Sequence, residues 1–140
     1  LEILRQLRDS KELSEHFPEG ELWLSLATSS VELGVLFLRH PTSAAEETHG
    51  VQLLNDSLAL FRQAGTEDYH QGLAADARLY LAEHWIRQHR LTDARPLLND
   101  ASEIYHRLLK DQPSHMGWRI AWLRNQYLEA QLLTAPEPIA

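Results

Sequence analysis

Cysteine is absent from the 140 residues, and its absence removes several chemistries together. Disulfides, thiolate nucleophiles, cysteine-containing zinc sites and cysteine-ligated iron–sulfur clusters all need the thiol. A reducing, cytoplasmic setting is the expectation. An excess of base is also missing: 13 Lys and Arg stand against 20 Asp and Glu, a net charge of −7. Nucleic-acid affinity rests on cations that neutralise phosphates, so direct nucleic-acid binding is not expected. The first fifteen residues mix Arg5, Arg8 and Lys11 with Glu2, Asp9, Glu12 and Glu15 and hold no apolar core of a secretory leader. Position 1 is Leu, from which a piece of a longer polypeptide is expected. There is no glycine-rich phosphate loop, no Gly-x-Ser-x-Gly elbow and no His-Glu-x-x-His. With no catalytic signature and no cofactor motif, an enzyme is not expected. Sustained two-residue alternation is missing too, so no strands are predicted.

What the sequence does hold is helix. Breakers fall at Pro18 and Gly20, Pro41, Gly65, 89–92, Pro113, and Pro136 with Pro138. Between them, apolar residues recur every three or four positions: Leu4 and Leu7; Leu22, Leu26, Leu33 and Phe37; Leu54, Leu58 and Phe61; Leu79, Ala82, Trp85 and Ile86; Ala94, Leu98, Ala101, Tyr105 and Leu108. That spacing stacks each set on one helix face. Hydroxyl residues stand where helices should start. Thr42 or Ser43, Thr66, Thr92 and Ser114 are the expected N-caps, with acids following in the first turns and Pro96 expected inside a first turn. Leu22–Leu38 carries one charge, Glu32, but is short for a membrane span and includes Ser25, Thr28, Ser29 and Ser30. It is expected to be a core helix, with no membrane partner.

The chain also repeats itself. Leu53-Leu54-Asn55-Asp56 recurs 44 residues later as Leu97-Leu98-Asn99-Asp100. Ser57 then matches Ala101, Phe61 matches Tyr105, and Gly50 matches Ala94. The helices before them match at an offset of 48: Leu33-Gly34 with Leu81-Ala82, and Phe37-Leu38-Arg39 with Trp85-Ile86-Arg87. A longer connection at Pro41 absorbs the difference. Two copies of a helix–turn–helix unit result, and neither can bury both faces alone.

Ala82, Trp85, Leu91, Ala94, Leu98 and Ala101 fall where the tetratricopeptide repeat places small, aromatic, large, small, large and small residues. Gly34, Phe37, Gly50, Leu54 and Ser57 echo them in the first copy. The chain therefore resembles the tetratricopeptide-like superhelical regions of large regulatory proteins. It departs from the family in its longer period, in Ser30 and Arg78 where a large residue is usual, and in the displaced Pro113. The resemblance implies an all-α stack of antiparallel helix pairs with about six helices in one domain over 1–140. These are a leading helix at 1–17, repeats at 21–64 and 67–111, a closing helix at 114–133 and a tail at 134–140. It further implies that the first helix of each pair lines a concave binding face. That face holds Thr28, Val31, Val35, Leu38 and Arg39 in one copy and Asp76, Leu79, Glu83, Ile86 and Arg87 in the other. The expected function is a non-catalytic interaction module, a scaffold or regulatory arm of a larger protein that binds a peptide or helix. Self-association through the terminal helices is a further expectation.

Two rival patterns are present. Glu46 to His49, Glu67 to His70 and Glu103 to His106 are Glu-x-x-His tetrads, and Glu32, Glu46/His49, Glu83 and Glu103/His106 resemble in helix order the ligand set of di-iron bundles. Helix phase argues against that enzyme, because Glu103 lies about 140° round from Leu98 at 100° per residue. Trp118 and Trp122, with Arg119 and Arg124 alongside, suit stacking on a base, a peptide or a small ligand, but packing of the closing helix is the favoured reading. A third alternative is a sensing domain whose groove binds a small molecule and switches oligomeric state.

Overall fold

A computed structural model describes Gln6 and residues 19–134. Among the described residues there are five helices and no strand: α1 (Glu19–Arg39), α2 (Ala44–Ala64), α3 (Asp68–Arg87), α4 (Leu91–Asp111) and α5 (Met116–Thr134). The all-α class stands as expected, with five helices described against about six expected. The leading helix expected over 1–17 lies outside the described residues apart from Gln6, as does the tail beyond Thr134. The chain divides into two compact units, Leu1–Ala77 and Arg78–Ala140. The division falls inside α3, not at the 65–66 connection between the two expected repeats.

In the first unit α1 and α2 pair antiparallel. Gly20 lies against the carbonyl of Ala64, and Gly34 lies against that of Gly50. A Cβ placed on Gly34 would meet the Gly50 oxygen at 3.1 Å and Leu54 Cγ at 3.0 Å, while one on Gly50 would meet the Gly34 oxygen and Leu38 Cγ, each at 3.0 Å. The two backbones touch because neither residue has a side chain. Leu26, Ala27, Leu53, Leu54, Leu60 and Phe61 fill the surrounding core. Ser30 and Ser57 are buried with it, and each hydroxyl donates back along its own helix, to Leu26 O at 2.8 Å and Leu54 O at 2.6 Å. A buried hydroxyl without such a bond would be costly. α1 is also the one described helix long and apolar enough to cross a membrane, with a mean hydropathy of 1.4 over Gly20–Arg39.

In the second unit the core is shared by three helices. Leu79 and Ala82 from α3, Ala94 and Leu98 from α4, and Leu128 and Leu132 from α5 form one buried cluster. Trp85, Ile86, Leu91, Leu97 and Ala121 pack against it. Asn125 is fully buried in α5, and its Nδ2 donates to Leu98 O at 3.2 Å. Its Oδ1 has no protein partner among the described residues.

The helix starts depart from the sequence reading. Ser43 does cap α2: its hydroxyl accepts from Glu46 N at 3.2 Å, and the Glu46 carboxylate accepts from Thr42 N at 3.0 Å. This is the reciprocal logic of a capping box, shifted by one residue. Thr66 is not a cap, because α3 begins at Asp68 and Thr66 offers its backbone carbonyl to the Gln71 side chain. Thr92 lies within the first turn of α4. The capping position belongs to Arg90, which makes no side-chain cap bond and instead pairs with Asp93 at 2.7 Å. Pro96 consequently falls in the second turn, where it withholds an N–H from the exposed Thr92 carbonyl. At α5 the capping residue is His115, not Ser114. Its Nδ1 accepts from Trp118 N at 3.2 Å, and its ring stacks on Trp118 with centroids 3.7 Å apart.

The helix ends use the backbone. Gly65 closes α2 at φ 154, with its N–H on Phe61 O, and His70 lies where a Cβ would project. His89 turns the chain after α3 at φ 59, a conformation that a non-glycine residue adopts at some cost. The bond from Arg90 N to Trp85 O at 2.8 Å and the Arg90 guanidinium, 4.4 Å over the Trp85 ring, hold that turn.

Candidate functional site

The residues that the repeat resemblance assigns to a binding face divide sharply by surroundings. In α1, Thr28, Val31 and Val35 are half-buried at spacings of three and four, so they form one accessible row. Thr28 turns its hydroxyl back to Leu24 O and Ser25 O, which leaves its methyl for contact. Arg39 is exposed at the helix end. Leu38 is different: it is buried, and its side chain covers Gly50 in the α1–α2 interface. It belongs to the interior of its unit and is not available to a partner.

In α3 the interior claims more of the set. Leu79 is a member of the buried cluster, and Ile86 packs against that cluster. Glu83 is ion-paired with Arg124 of α5: Nε reaches Oε1 at 3.1 Å and Nη2 donates to the same oxygen. The Arg124 guanidinium also stands 5.9 Å over the Tyr80 ring. α5 therefore engages the side of α3 that the resemblance offered to a ligand. Asp76 is half-buried and Arg87 exposed. The physical reason is the same at both leucines. A helix with a wide apolar stripe buries its centre, and family register does not tell which neighbour of that centre stays in reach of solvent.

The metal pattern does not assemble. Glu32, His49, Glu103 and His106 are exposed, and no group of three or more His, Asp or Glu among the described residues is placed to hold an ion. The His49 ring instead lies 5.4 Å from that of Phe37. His70 is buried, and its Nδ1 has no partner among the described residues. Two carboxyls feel their surroundings. The Thr42 backbone and side chain hold Glu46 below the ordinary carboxylate range, and partial burial raises Glu129.

The tryptophan pair separates. Trp118 is buried beneath His115, whereas Trp122 stays half-buried. Trp122 lines a surface depression of about 440 Å³ with His106, Leu109 and Lys110 of α4. Sequence reasoning missed this depression. Its cue was the placement of His106, Leu109 and Lys110 within one helical turn, which is weak without knowing that α5 returns antiparallel beside them.

Sequence reasoning also missed the outer face of α5. Met116, Ile120, Leu123 and Tyr127 are 61%, 60%, 60% and 64% exposed. The row continues through exposed Ala130 and Thr134. Their spacing of four and three residues was visible in the sequence. So was the opposite row of Trp118, Ala121, Asn125, Leu128 and Leu132, and periodicity alone does not say which of two apolar faces is the inner one.

No protein-family model, curated protein or solved structure matches the chain.

Proposed function

We propose that the chain is a non-catalytic interaction module of tetratricopeptide-like helix pairs, a scaffold or regulatory arm that binds a protein or peptide partner. The supporting observation is the twice-used small-residue position. Gly34 and Gly50 meet in one helix pair, and Ala82 and Ala94, the residues at the matching sequence positions, share the buried cluster of the other. Duplicated helix pairs of this kind build extended surfaces more readily than enclosed pockets. The half-buried row Thr28, Val31 and Val35 is the part of the assigned face best suited to contact, since it is apolar and accessible without unfolding. Partner capture by the full chain, followed by Val31→Asp and Val35→Asp, tests the reading. Loss of capture with unchanged helicity and melting supports it. Capture unaffected by both variants removes this face from the proposal.

A second reading has its own support. The depression between α4 and α5 joins an aromatic wall, Trp122, to a cation, Lys110, which suits a small aromatic or apolar anion. Such a ligand would make the chain a sensing domain. Thermal-shift screening against aromatic carboxylates, with Trp122→Ala and Lys110→Ala as controls, discriminates it from the first.

A further inference from the structure

The exposed face of α5 follows a pattern used for helix pairing. Ile120, Tyr127 and Thr134 recur every seven residues, and so do Met116, Leu123 and Ala130, three places on from the first series or four before it. All six are exposed. This is an a/d heptad seam on the side of the helix opposite Trp118, Asn125 and Leu132, which are buried. Strict 3.5-residue periodicity suits contact with another helix along the whole length. Thr134 turns its hydroxyl back onto Ala130 O and Gln131 O, so it too presents a methyl.

We propose that a second copy of this chain covers the seam, its α5 running antiparallel to the first. The surface is distinct from the α1 row and does not depend on it. Antiparallel pairing sets a-positions against d-positions, and one register pairs large residues with small ones. Ile120 faces the second copy's Ala130, Met116 faces Thr134, and Leu123 faces Tyr127, each layer occurring twice by symmetry. In-register parallel pairing would instead stack Tyr127 on its own copy and bring Arg119 beside the second copy's Arg124.

Charge favours the same occupant. α5 carries three charges, Arg119, Arg124 and Glu129. Arg124 enters the interface already paired with Glu83 of its own copy, so the two that meet near the symmetry axis are compensated. In the antiparallel register Arg119 and the second copy's Glu129 lie on the same side and nearly level. The flanks otherwise carry Gly117, Gln126, Gln131 and Leu133. Such a weakly charged border gives a strongly charged partner little to recognise, whereas α5 itself matches it.

The area is adequate. The four large residues expose on the order of 400 Å² of apolar surface, within the range of patches that mark interaction sites. With the flanking residues, two helices about 28 Å long approach the roughly 800 Å² per partner of a standard interface.

Sedimentation velocity of the 140-residue chain over a concentration series is the test. A monomer–dimer equilibrium is expected, and Ile120→Asp with Leu123→Asp weakens it at least 100-fold. Helicity, and the melting temperature measured at concentrations where both chains are monomeric, remain unchanged, because both side chains are exposed in the single chain. Orientation is tested by oxidative crosslinking, which the absence of native cysteine makes unambiguous. Ile120→Cys combined with Ala130→Cys is expected to yield a covalent dimer, and Ile120→Cys alone is not. A chain that stays monomeric to millimolar concentration overturns the proposal, as does a dimer indifferent to the two aspartates. Crosslinking through Ile120→Cys alone overturns the antiparallel arrangement.

Discussion

The two helix pairs meet the same demand with different residues. α1 and α2 approach through Gly34 and Gly50, whereas Ala82 and Ala94 hold the matching positions of α3 and α4. Glycine permits backbone contact but weakens each helix by about 1 kcal/mol relative to alanine. Alanine keeps the helix strong and leaves room for one methyl on each side. The pairs also start differently. α2 has a complete side-chain cap in Ser43 and Glu46, while α4 begins at Arg90 with none. The pair that meets through glycine thus has the better-anchored second helix, and the pair with alanine at those positions shares a three-helix core.

Substitutions at the crossings break this comparison most directly. Gly50→Ala should cost about 2 kcal/mol, because the new Cβ meets backbone and Leu38 at 3.0 Å and neither yields easily. Chemical denaturation measures it, and a loss under 0.5 kcal/mol would mean that the backbones do not touch. The reverse change, Ala94→Gly, should cost about 1–2 kcal/mol from lost helix propensity and one lost buried methyl. It should leave the fold intact, as judged by unchanged helicity before the transition. At the caps, Ser43→Ala should cost about 1 kcal/mol by the same denaturation series, and Arg90→Ala about 0.5–1 kcal/mol through its contacts with Trp85 and Asp93 instead of a cap. A cost under about 0.3 kcal/mol for Ser43→Ala would show that the side-chain cap of α2 adds nothing.

The smallest effect concerns pH. Glu46 has a depressed folded-state pKa, so its contribution is present above the ordinary carboxylate value and is lost as pH falls through the folded one. Below about pH 4.5 the first turn of α2 should loosen while the start of α4, which lacks an equivalent acid-dependent cap, keeps its form longer. Backbone chemical shifts of Ala44–Glu47, compared with Leu91–Ala94 through an acid titration, report this. Glu46→Gln should remove the difference.

Helix class and helix extents were legible because the breakers and the apolar period agree along most of the chain. The small residues Gly34, Gly50, Ala82 and Ala94 stood out because two segments of the sequence resemble each other, and all four are buried. The caps were less so. Four hydroxyl sites looked equivalent, yet only Ser43 serves, and Arg90 and His115 occupy capping positions that composition would not assign them. Whether a residue caps depends on which one takes the extended conformation before the helix, and that is decided by the incoming chain. The repeat resemblance assigned a face without its surroundings. Val31 and Val35 stay accessible, but Leu38 and Leu79 turned out to be interior, since a position one step off the centre of a stripe depends on what the next helix covers. Asn125 gave no signal, because a single polar residue in a helix looks like a solvent-facing one.

Asn125 works as an axial stop. Leucines from α4 and α5 could exchange neighbours if α5 slid by one turn, roughly 5.4 Å, and would lose little. The Asn125 side chain could not, because it would leave Leu98 O behind and strand a buried amide at a cost of about 1–3 kcal/mol. This buried bond, with the Gln126–Ser102 bond and the Glu83–Arg124 pair nearer the surface, fixes how far along α4 the last helix sits and, through the helix's own pitch, which of its two apolar faces looks outward.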